Sequence, residues 1–165
     1  MKKSEIKTNA IRLLEQKKIP FTIHNYTDSG AVSGMEVAAV LGENPEAVFK
    51  TLVTVGKSGE HYVFVVPVNR ELSLKKAANV AGEKSVSMIK SKELLPLTGY
   101  IHGGCSPIGM KKFFRTFIDR SAENQQTIMV SGGKIGYQIE IAPQELAKVI
   151  RFMLEDISEA VNGEI

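Results

Sequence analysis

The sequence predicts a single α+β domain in which helices surround a curved mixed or antiparallel sheet. Its 165 residues are 43% hydrophobic and 24% charged, which suits one compact domain. The predicted strands occur as hairpins and alternate with single helices, whereas a regular βαβ order would indicate a parallel sheet. No linker rich in Pro, Gly or Ser divides the chain, so we expect one domain over residues 1–157 and a frayed acidic tail over residues 158–165.

The individual elements follow from the period of the apolar residues and from capping and turn signals. Ser4, Ser33 and Ser73 are the expected N-caps. The last helix is predicted because apolar residues keep helical spacing from Leu146 to Ile157. In chain order the elements are a helix over residues 4–18, a strand over 21–26, a helix over 33–42, a helical turn at 44–45, a hairpin of strands over 49–55 and 61–68, a helix over 73–82, a strand over 84–89, a helix over 91–95, strands over 114–119, 127–131 and 137–141, and a helix over 143–157.

Charge, cysteine content and hydropathy restrict the class of protein. Twenty-one Lys and Arg against eighteen Asp and Glu give a formal net charge of +3, which allows a polyanionic partner without demanding one. One cysteine and three scattered histidines cannot form an internal disulfide or a Cys/His zinc cluster, so we expect no metal and no cofactor. No run of about 18 apolar residues is present, so we expect a cytoplasmic protein without a membrane partner.

Two glycine-rich segments have the composition of phosphate-binding loops but lack the sequence context of one. Residues 131–136, SGGKIG, lie between two predicted strands, and residues 103–109, GGCSPIG, lack the Lys-Ser/Thr ending of a Walker loop. A hairpin turn explains the first of these segments. The second fixes an unusual backbone path whose exposed N–H groups could hold a carbonyl oxygen, and we favour a pocket-lining role over a simple loop.

Two side chains stand out as candidates for chemistry. Cys105 follows His102 by three residues, which suggests a thiol hydrolase, but no third group orients the histidine, and we favour a buried packing role for the cysteine. Lys50 places a cation at the start of an otherwise apolar strand. Its ammonium either reaches the surface or a carboxylate, or points into a cleft to hold an oxygen of a ligand, and composition does not decide between them.

Basic residues are concentrated in the first helix, near residues 75–76, near residues 84–92 and at residues 111–115. Such runs are usually solvated faces. If several of them converge on one side of the molecule, they would supply phosphate contacts whose strength depends steeply on salt. No RNA-binding motif with paired aromatic residues is present, so we do not expect sequence-specific recognition of bases.

Four segments of the chain form an ordered set of motifs. They are VFKTLV at residues 48–53, VVPVN at 65–69, GGCSPIG at 103–109 and VSGGKIG at 130–136. Together they resemble the YbaK/EbsC family, which clears mischarged aminoacyl-tRNA and is similar to the editing insertion domain of bacterial prolyl-tRNA synthetase. The resemblance runs over about residues 6–153 and implies the family's single domain, a YbaK-like barrel.

This resemblance implies roles for particular residues. Lys50 matches the essential lysine of the family and is the expected catalytic residue, and residues 103–107 match its GxxxP substrate loop. Glu145 stands where the family often has an aspartate and is a further candidate, and Ser33 replaces an expected aromatic residue. The substrate-binding residues implied in this way are Tyr26, Ser33, Gly103, Gly104, Cys105, Ser106 and Pro107.

The resemblance also implies a function. The expected substrate is the 3′ acceptor end of a mischarged tRNA, Cys-tRNA(Pro) and also Cys-tRNA(Cys), whose own thiol would cleave the ester, with prolyl-tRNA synthetase as a partner in a ternary complex. One alternative is a deacylase of the same superfamily that acts on Ala-, Ser- or Thr-tRNA with water as the nucleophile. Another is a non-catalytic module that binds tRNA or the synthetase.

Overall fold

A computed structural model describes residues 7–161 and contains helices and strands throughout that range. The helices are α1 (Asn9–Gln16), α2 (Gly34–Leu41), α3 (Leu74–Ala81), α4 (Ser91–Thr98) and α5 (Pro143–Leu146). The strands are β1 (Thr22–Asn25), β2 (Phe49–Gly56), β3 (His61–Pro67), β4 (Arg70–Leu72), β5 (Val86–Met88), β6 (Arg115–Asp119), β7 (Ile128–Ser131), β8 (Tyr137–Ile141), β9 (Met153–Glu155) and β10 (Ser158–Ala160). Short 3-10 helices cover Thr27–Ser29, Pro45–Ala47 and Arg120–Asn124.

The strands form one large sheet and two small ones. The large sheet has the order β5-β2-β3-β6-β9, in which β2 pairs antiparallel with β3 and β5, whereas β6 pairs parallel with β3 and β9. A three-stranded antiparallel sheet has the order β1-β8-β7, and β10 pairs antiparallel with β4. A bridge between Val48 and Met129 joins the start of β2 to β7. The predicted α+β class with a mixed sheet is confirmed.

The central strand β3 divides the core into two layers. Side chains alternate across a strand, so neighbouring residues of β3 point to opposite faces of the sheet. Val63 and Val65 belong to the largest apolar cluster, which includes α1, whereas Phe64 and Val66 belong to a second cluster with α3. Both faces of the sheet are therefore covered at β3, and this explains why its sequence is apolar almost without a break.

Helix-capping residues predict most of the helix starts correctly. Ser33 accepts a hydrogen bond from the Glu36 amide at 3.2 Å and the Glu36 carboxylate accepts one from the Ser33 amide at 3.0 Å, so the predicted capping box is confirmed. Ser73 caps α3, also as predicted. The first helix is shorter than predicted, because Thr8 caps it by accepting from the Ile11 amide at 3.2 Å. The cap predicted at Ser4 lies outside the described residues.

The predicted final helix is wrong beyond Leu146. The chain leaves the helix and adds β9 to the edge of the large sheet, beside β6, and then pairs β10 with β4. Helical spacing of apolar residues is also met by a turn followed by a short strand, so the period alone was misleading. The predicted frayed tail is likewise wrong for Ser158–Ala160, which form a strand. Two further differences are β4, which is too short to show a period, and α4, which continues to Thr98.

The buried carboxylate of Asp119 fixes this C-terminal segment. One of its oxygens accepts hydrogen bonds from the amides of Ile157 and Ser158 at 3.2 and 3.1 Å, and the other accepts from the Ser121 hydroxyl at 2.6 Å. Burial alone would raise the pKa of Asp119, but the hydrogen bonds outweigh burial and lower it. The carboxylate thus satisfies two backbone donors that would otherwise be buried without partners.

We predict that Asp119→Asn lowers the free energy of unfolding by about 2 kcal/mol at pH 7, because hydrogen bonds to a charged acceptor are lost. The native pKa lies below the unfolded value of about 3.9, so this contribution is complete above that pH and disappears as the pH falls through the native pKa. Urea unfolding from pH 7 to pH 3 measures both effects. The exposed Asp156, which pairs with Lys76, is the matched control, and an equal loss in Asp156→Asn would contradict the prediction.

Candidate functional site

A cleft of about 260 Å³ lies between the start of α2, the first half of β2 and the glycine-rich loop at residues 102–105. Segments from distant parts of the sequence meet there because the bridge between Val48 and Met129 brings the small β1-β8-β7 sheet beside β2. Most of the lining is apolar. The residues that line the cleft are Tyr26, Val32, Ser33, Gly34, Val37, Val48, Phe49, Lys50, Thr51, Leu52, Val53, Val68, Met88, Ile89, Ser91, Leu94, His102, Gly103, Cys105, Ser131 and Gln138.

Lys50 is the single Lys, Arg, Asp or Glu in that lining. Its position is fixed by the β2-β3 hairpin, in which it pairs with Val66. Burial lowers the pKa of Lys50, and the charge of Glu71 on β4 acts in the opposite direction. Within residues 7–161 no carboxylate lies close enough to form an ion pair with its ammonium. Of the two sequence interpretations, the geometry favours a cation that faces a cleft.

The glycine-rich loop contributes only part of its predicted set to the cleft. Gly103 and Cys105 line the cleft, and their amides have no hydrogen-bond partner within residues 7–161. The Gly104 amide donates to the Ile101 carbonyl at 3.0 Å, so it is not free to bind a ligand. Ser106 is fully buried and its hydroxyl accepts from the Ile108 amide, while Pro107 lines a different groove.

Glycine at position 104 allows the two glycine-rich segments to pack against each other. A Cβ atom there would lie 3.0 Å from the Ile135 nitrogen and 3.1 Å from the Lys134 carbonyl carbon, which is closer than Cβ atoms normally approach backbone. The loop at residues 103–107 therefore rests directly on the turn between β7 and β8. Gly104 thus permits a close backbone contact that positions its neighbours Gly103 and Cys105 beside the cleft.

Cys105 has the properties of a packing residue. It is 7% exposed and belongs to the largest apolar cluster. Burial raises the pKa of Cys105 to about 12, and a hydrogen bond with Thr98 offsets only part of this effect. The side chain is therefore a thiol at neutral pH, and a thiol is a poor nucleophile. His102 also lines the cleft, but the pair lacks the thiolate that a thiol hydrolase needs.

The remaining predicted residues are divided between the cleft and the surface. Tyr26 and Ser33 line the cleft, although the Ser33 hydroxyl already caps α2. Glu145 does not line the cleft. Its carboxylate pairs with the Lys148 ammonium at 3.0 and 3.2 Å, one turn further along the chain. The structure thus brings Lys50, Tyr26, Ser33, Gly103 and Cys105 together and leaves Glu145 elsewhere.

Four polar residues of the cleft were missed by sequence reasoning, and one of them is Ser91 at the start of α4. Thr51 follows Lys50 on β2, and Ser131 and Gln138 are paired across β7 and β8. The Thr51 hydroxyl and the Gln138 carbonyl oxygen are buried without a partner in the described part of the chain. Polar residues in strands usually face solvent, so nothing in the sequence marked Thr51 or Gln138, and Ser131 was marked only by its position in the VSGGKIG segment.

Together these features define what the cleft can do chemically. A half-buried ammonium can bind an anion or polarise a carbonyl oxygen, and amides without a partner in the described residues, those of Gly103 and Cys105, can stabilise developing negative charge on an oxygen. Within residues 7–161, no group of three or more His, Cys, Asp or Glu side chains is placed to hold a metal ion. No helix in that range is long and apolar enough to span a bilayer.

Comparisons with known proteins identify a consistent set of relatives. Residues 29–149 match the family described as aminoacyl-tRNA editing domain. EbsC of Enterococcus faecalis, named for Cys-tRNA(Pro)/Cys-tRNA(Cys) deacylase activity, is 44% identical over 158 residues, covering 95% of this chain and 96% of that protein. A proline–tRNA ligase of Thermosipho melanesiensis is 31% identical over 103 residues, covering 62% of this chain and 18% of the ligase. A crystal structure described as a trans-editing enzyme for prolyl tRNA synthetase has a TM-score of 0.82 and 24% identity, covering 94% of this chain and all of that one.

We predict that Cys105 reacts slowly with iodoacetamide. A pKa near 12 instead of about 8.5 leaves on the order of a thousandfold less thiolate at pH 8, so alkylation of the native protein should be at least about a hundredfold slower than alkylation of the urea-unfolded protein. Mass spectrometry of timed samples measures both rates. The unfolded chain is an internal control because Cys105 is the one cysteine of the sequence. Native and unfolded rates within tenfold of each other would indicate a reactive thiolate.

Proposed function

The chain belongs to the aminoacyl-tRNA editing domain family, and we propose that it is a trans-editing deacylase that removes cysteine from Cys-tRNA(Pro) and Cys-tRNA(Cys). The family match covers more than half of the chain, and EbsC aligns over nearly the full length of both proteins. The resemblance predicted from four sequence segments is therefore confirmed, as is the assignment to aminoacyl-tRNA deacylases.

The observation that carries the proposed reaction is the Lys50 ammonium, which is half-buried in an apolar cleft without an ion pair in residues 7–161. Removing a cation from water is costly unless a partner replaces the water. The end of an aminoacyl-tRNA offers two such partners, the carbonyl oxygen of the ester and the phosphate of the terminal nucleotide. We assign Lys50 to orient one of these groups, and the Gly103 and Cys105 amides to stabilise negative charge on the carbonyl oxygen.

The substrate itself supplies the nucleophile in this proposal. The thiol sulfur of the cysteinyl group attacks its own carbonyl carbon, so that a C–S bond forms and the C–O bond to the ribose breaks. The thiol proton is transferred to the departing ribose oxygen. The products are tRNA with a free hydroxyl and a cyclic thiolactone, and no further reactant is needed. Attack within one small molecule is efficient because the reacting atoms are already close together.

The properties of Cys105 support this scheme. A catalytic protein thiol would need a lowered pKa, and burial raises the pKa of Cys105 instead. Cys105 would therefore serve through its backbone amide. Tyr26 and Ser33 shape the wall of the cleft on the side of α2, and Thr51 and Gln138 add polar groups that can contact the amino acid or the ribose.

The choice of tRNA would depend on a partner. A cleft of about 260 Å³ is smaller than the roughly 300–1,000 Å³ of typical ligand pockets, so it can contact only the end of the acceptor strand. We propose that prolyl-tRNA synthetase, which charges the tRNA, supplies further selectivity in a ternary complex. The reaction would take place in the cytoplasm, with neither a metal ion nor a cofactor. Glu145, which pairs with Lys148 away from the cleft, has no part in the proposed reaction.

The proposed function predicts selective loss of the cysteinyl ester. Labelled Cys-tRNA(Pro), Ala-tRNA(Pro) and Ser-tRNA(Pro) are incubated with the protein, and the remaining ester is measured over time against the spontaneous rate. We expect cysteine to be released at least about a hundredfold faster than serine, because an alcohol attacks the carbonyl far less readily than a thiol.

The three substrates also separate the alternatives. Release of serine or alanine as fast as cysteine would indicate that water, and not the thiol of the substrate, is the nucleophile. The protein would still be a deacylase. No acceleration of any of the three would contradict the proposed activity and favour a module that binds tRNA or the synthetase.

A further inference from the structure

A second groove, of about 430 Å³, lies where α1, the end of the glycine-rich loop and residues 149–151 meet. Its apolar part includes Leu13 of α1, Phe114 and Ile150, which pack against the largest apolar cluster of the core. The proposed deacylation at Lys50 does not use this groove. One loop nevertheless contributes to both sites, because Cys105 lines the cleft and Pro107 lines the groove.

The charged residues that line the groove are Lys112 and Arg151, both of them cations, and no Asp or Glu belongs to the lining. Neither residue forms an ion pair within residues 7–161. The adjacent Lys111 is also exposed. The groove is therefore positively charged on its edges and apolar on its floor, a combination that suits an anionic ligand with flat apolar groups.

Phe113 stands at the edge of the groove and is 68% exposed, which makes it the most exposed large apolar side chain of the described residues. An aromatic ring held in water beside cations is a common platform for an unpaired base, because the ring stacks on the base while the cations contact the phosphates. A protein partner would also use an exposed phenylalanine, but the absence of acidic residues from the lining favours a polyanion.

The position of the groove relative to the cleft suggests which polyanion binds. Pro107 follows Cys105 by two positions, so their Cα atoms are at most about 7 Å apart. The cleft holds only the aminoacylated end of its substrate, and the nucleotides that precede this end must continue outside it. A groove with aromatic and cationic groups lies one loop away from the cleft.

We infer that this groove binds the unpaired 3′ strand of the tRNA substrate, with a base stacked on Phe113 and backbone phosphates on Lys112 and Arg151. This inference rests on the proposed function, since it takes tRNA as the substrate. It assigns to the surface around residues 112–113 and 151 a role in holding the strand while Lys50 acts on the ester.

The test measures binding of an RNA minihelix without an attached amino acid. The minihelix carries the tRNA acceptor stem and its unpaired 3′ end, and binding is measured by fluorescence anisotropy at several salt concentrations. The variants are the charge-reversed pair Lys112→Glu with Arg151→Glu, and Phe113→Ala alone. The control pair is Lys75→Glu with Lys84→Glu, which changes the net charge by the same amount on a surface beside α3. Thermal unfolding of each variant confirms that it is folded.

We expect the Lys112 and Arg151 pair of changes to weaken binding at least about tenfold at low salt. Loss of two phosphate contacts should also reduce the slope of log K against log salt by about 1.4, since each contact to a single strand contributes about 0.7. Phe113→Ala should weaken binding about tenfold with little change in slope, because it removes stacking rather than charge. The control pair should change binding less than about threefold.

Two outcomes would overturn the inference. One is unchanged RNA binding in both the charge-reversed and the Phe113→Ala variants, which would leave the groove to a protein partner. The other is an equal weakening of RNA binding in the control pair, which would show that the effect depends on net charge and not on the groove. The RNA carries no amino acid, so the binding test involves no cleavage of an ester. A protein that binds this RNA but fails to deacylate Cys-tRNA would therefore contradict only the proposed function.

Discussion

A lysine ammonium that is half-buried in an apolar cleft is the constraint on which the rest of this site depends. Burial lowers the pKa of Lys50, and Glu71 only partly offsets this effect from a neighbouring strand. A cation in such a position destabilises the free protein unless a ligand with an oxygen or phosphate group replaces the lost water. The surrounding residues therefore make sense as a frame that keeps the ammonium in place and leaves space in front of it.

The fold supplies that frame through two close approaches. The first is the pairing of β2 with β3, which is buried on both faces and fixes the register of Lys50 opposite Val66. The second is the contact of the loop at residues 103–107 with the turn between β7 and β8, where Gly104 allows backbone to meet backbone. The amides of Gly103 and Cys105, which have no hydrogen-bond partner within residues 7–161, are thus held beside the cleft by packing.

Much of this could be predicted from the sequence, and the rest depended on tertiary pairing. The hairpin that carries Lys50 and the Ser33 cap were predicted because their signals are local. The strand at Met153–Glu155 was not predicted, because the groups that stabilise it are distant in the sequence. Its partner strand β6 and the Asp119 carboxylate both lie more than thirty residues earlier in the chain. Gln138 was missed for a different reason, since the sequence does not show which face of a strand lines a cleft.

The most direct test of the central claim is the rate of Cys-tRNA(Pro) deacylation by Lys50→Met, which keeps the length of the side chain and removes its charge. The account predicts that the rate of deacylation falls at least about a hundredfold. The thermal unfolding temperature should be no lower than that of the unchanged protein, because an apolar side chain suits the cleft. Lys57→Met, in the exposed loop that follows β2, serves as the control and should retain full activity. A folded Lys50→Met protein that deacylates at the original rate would contradict the account.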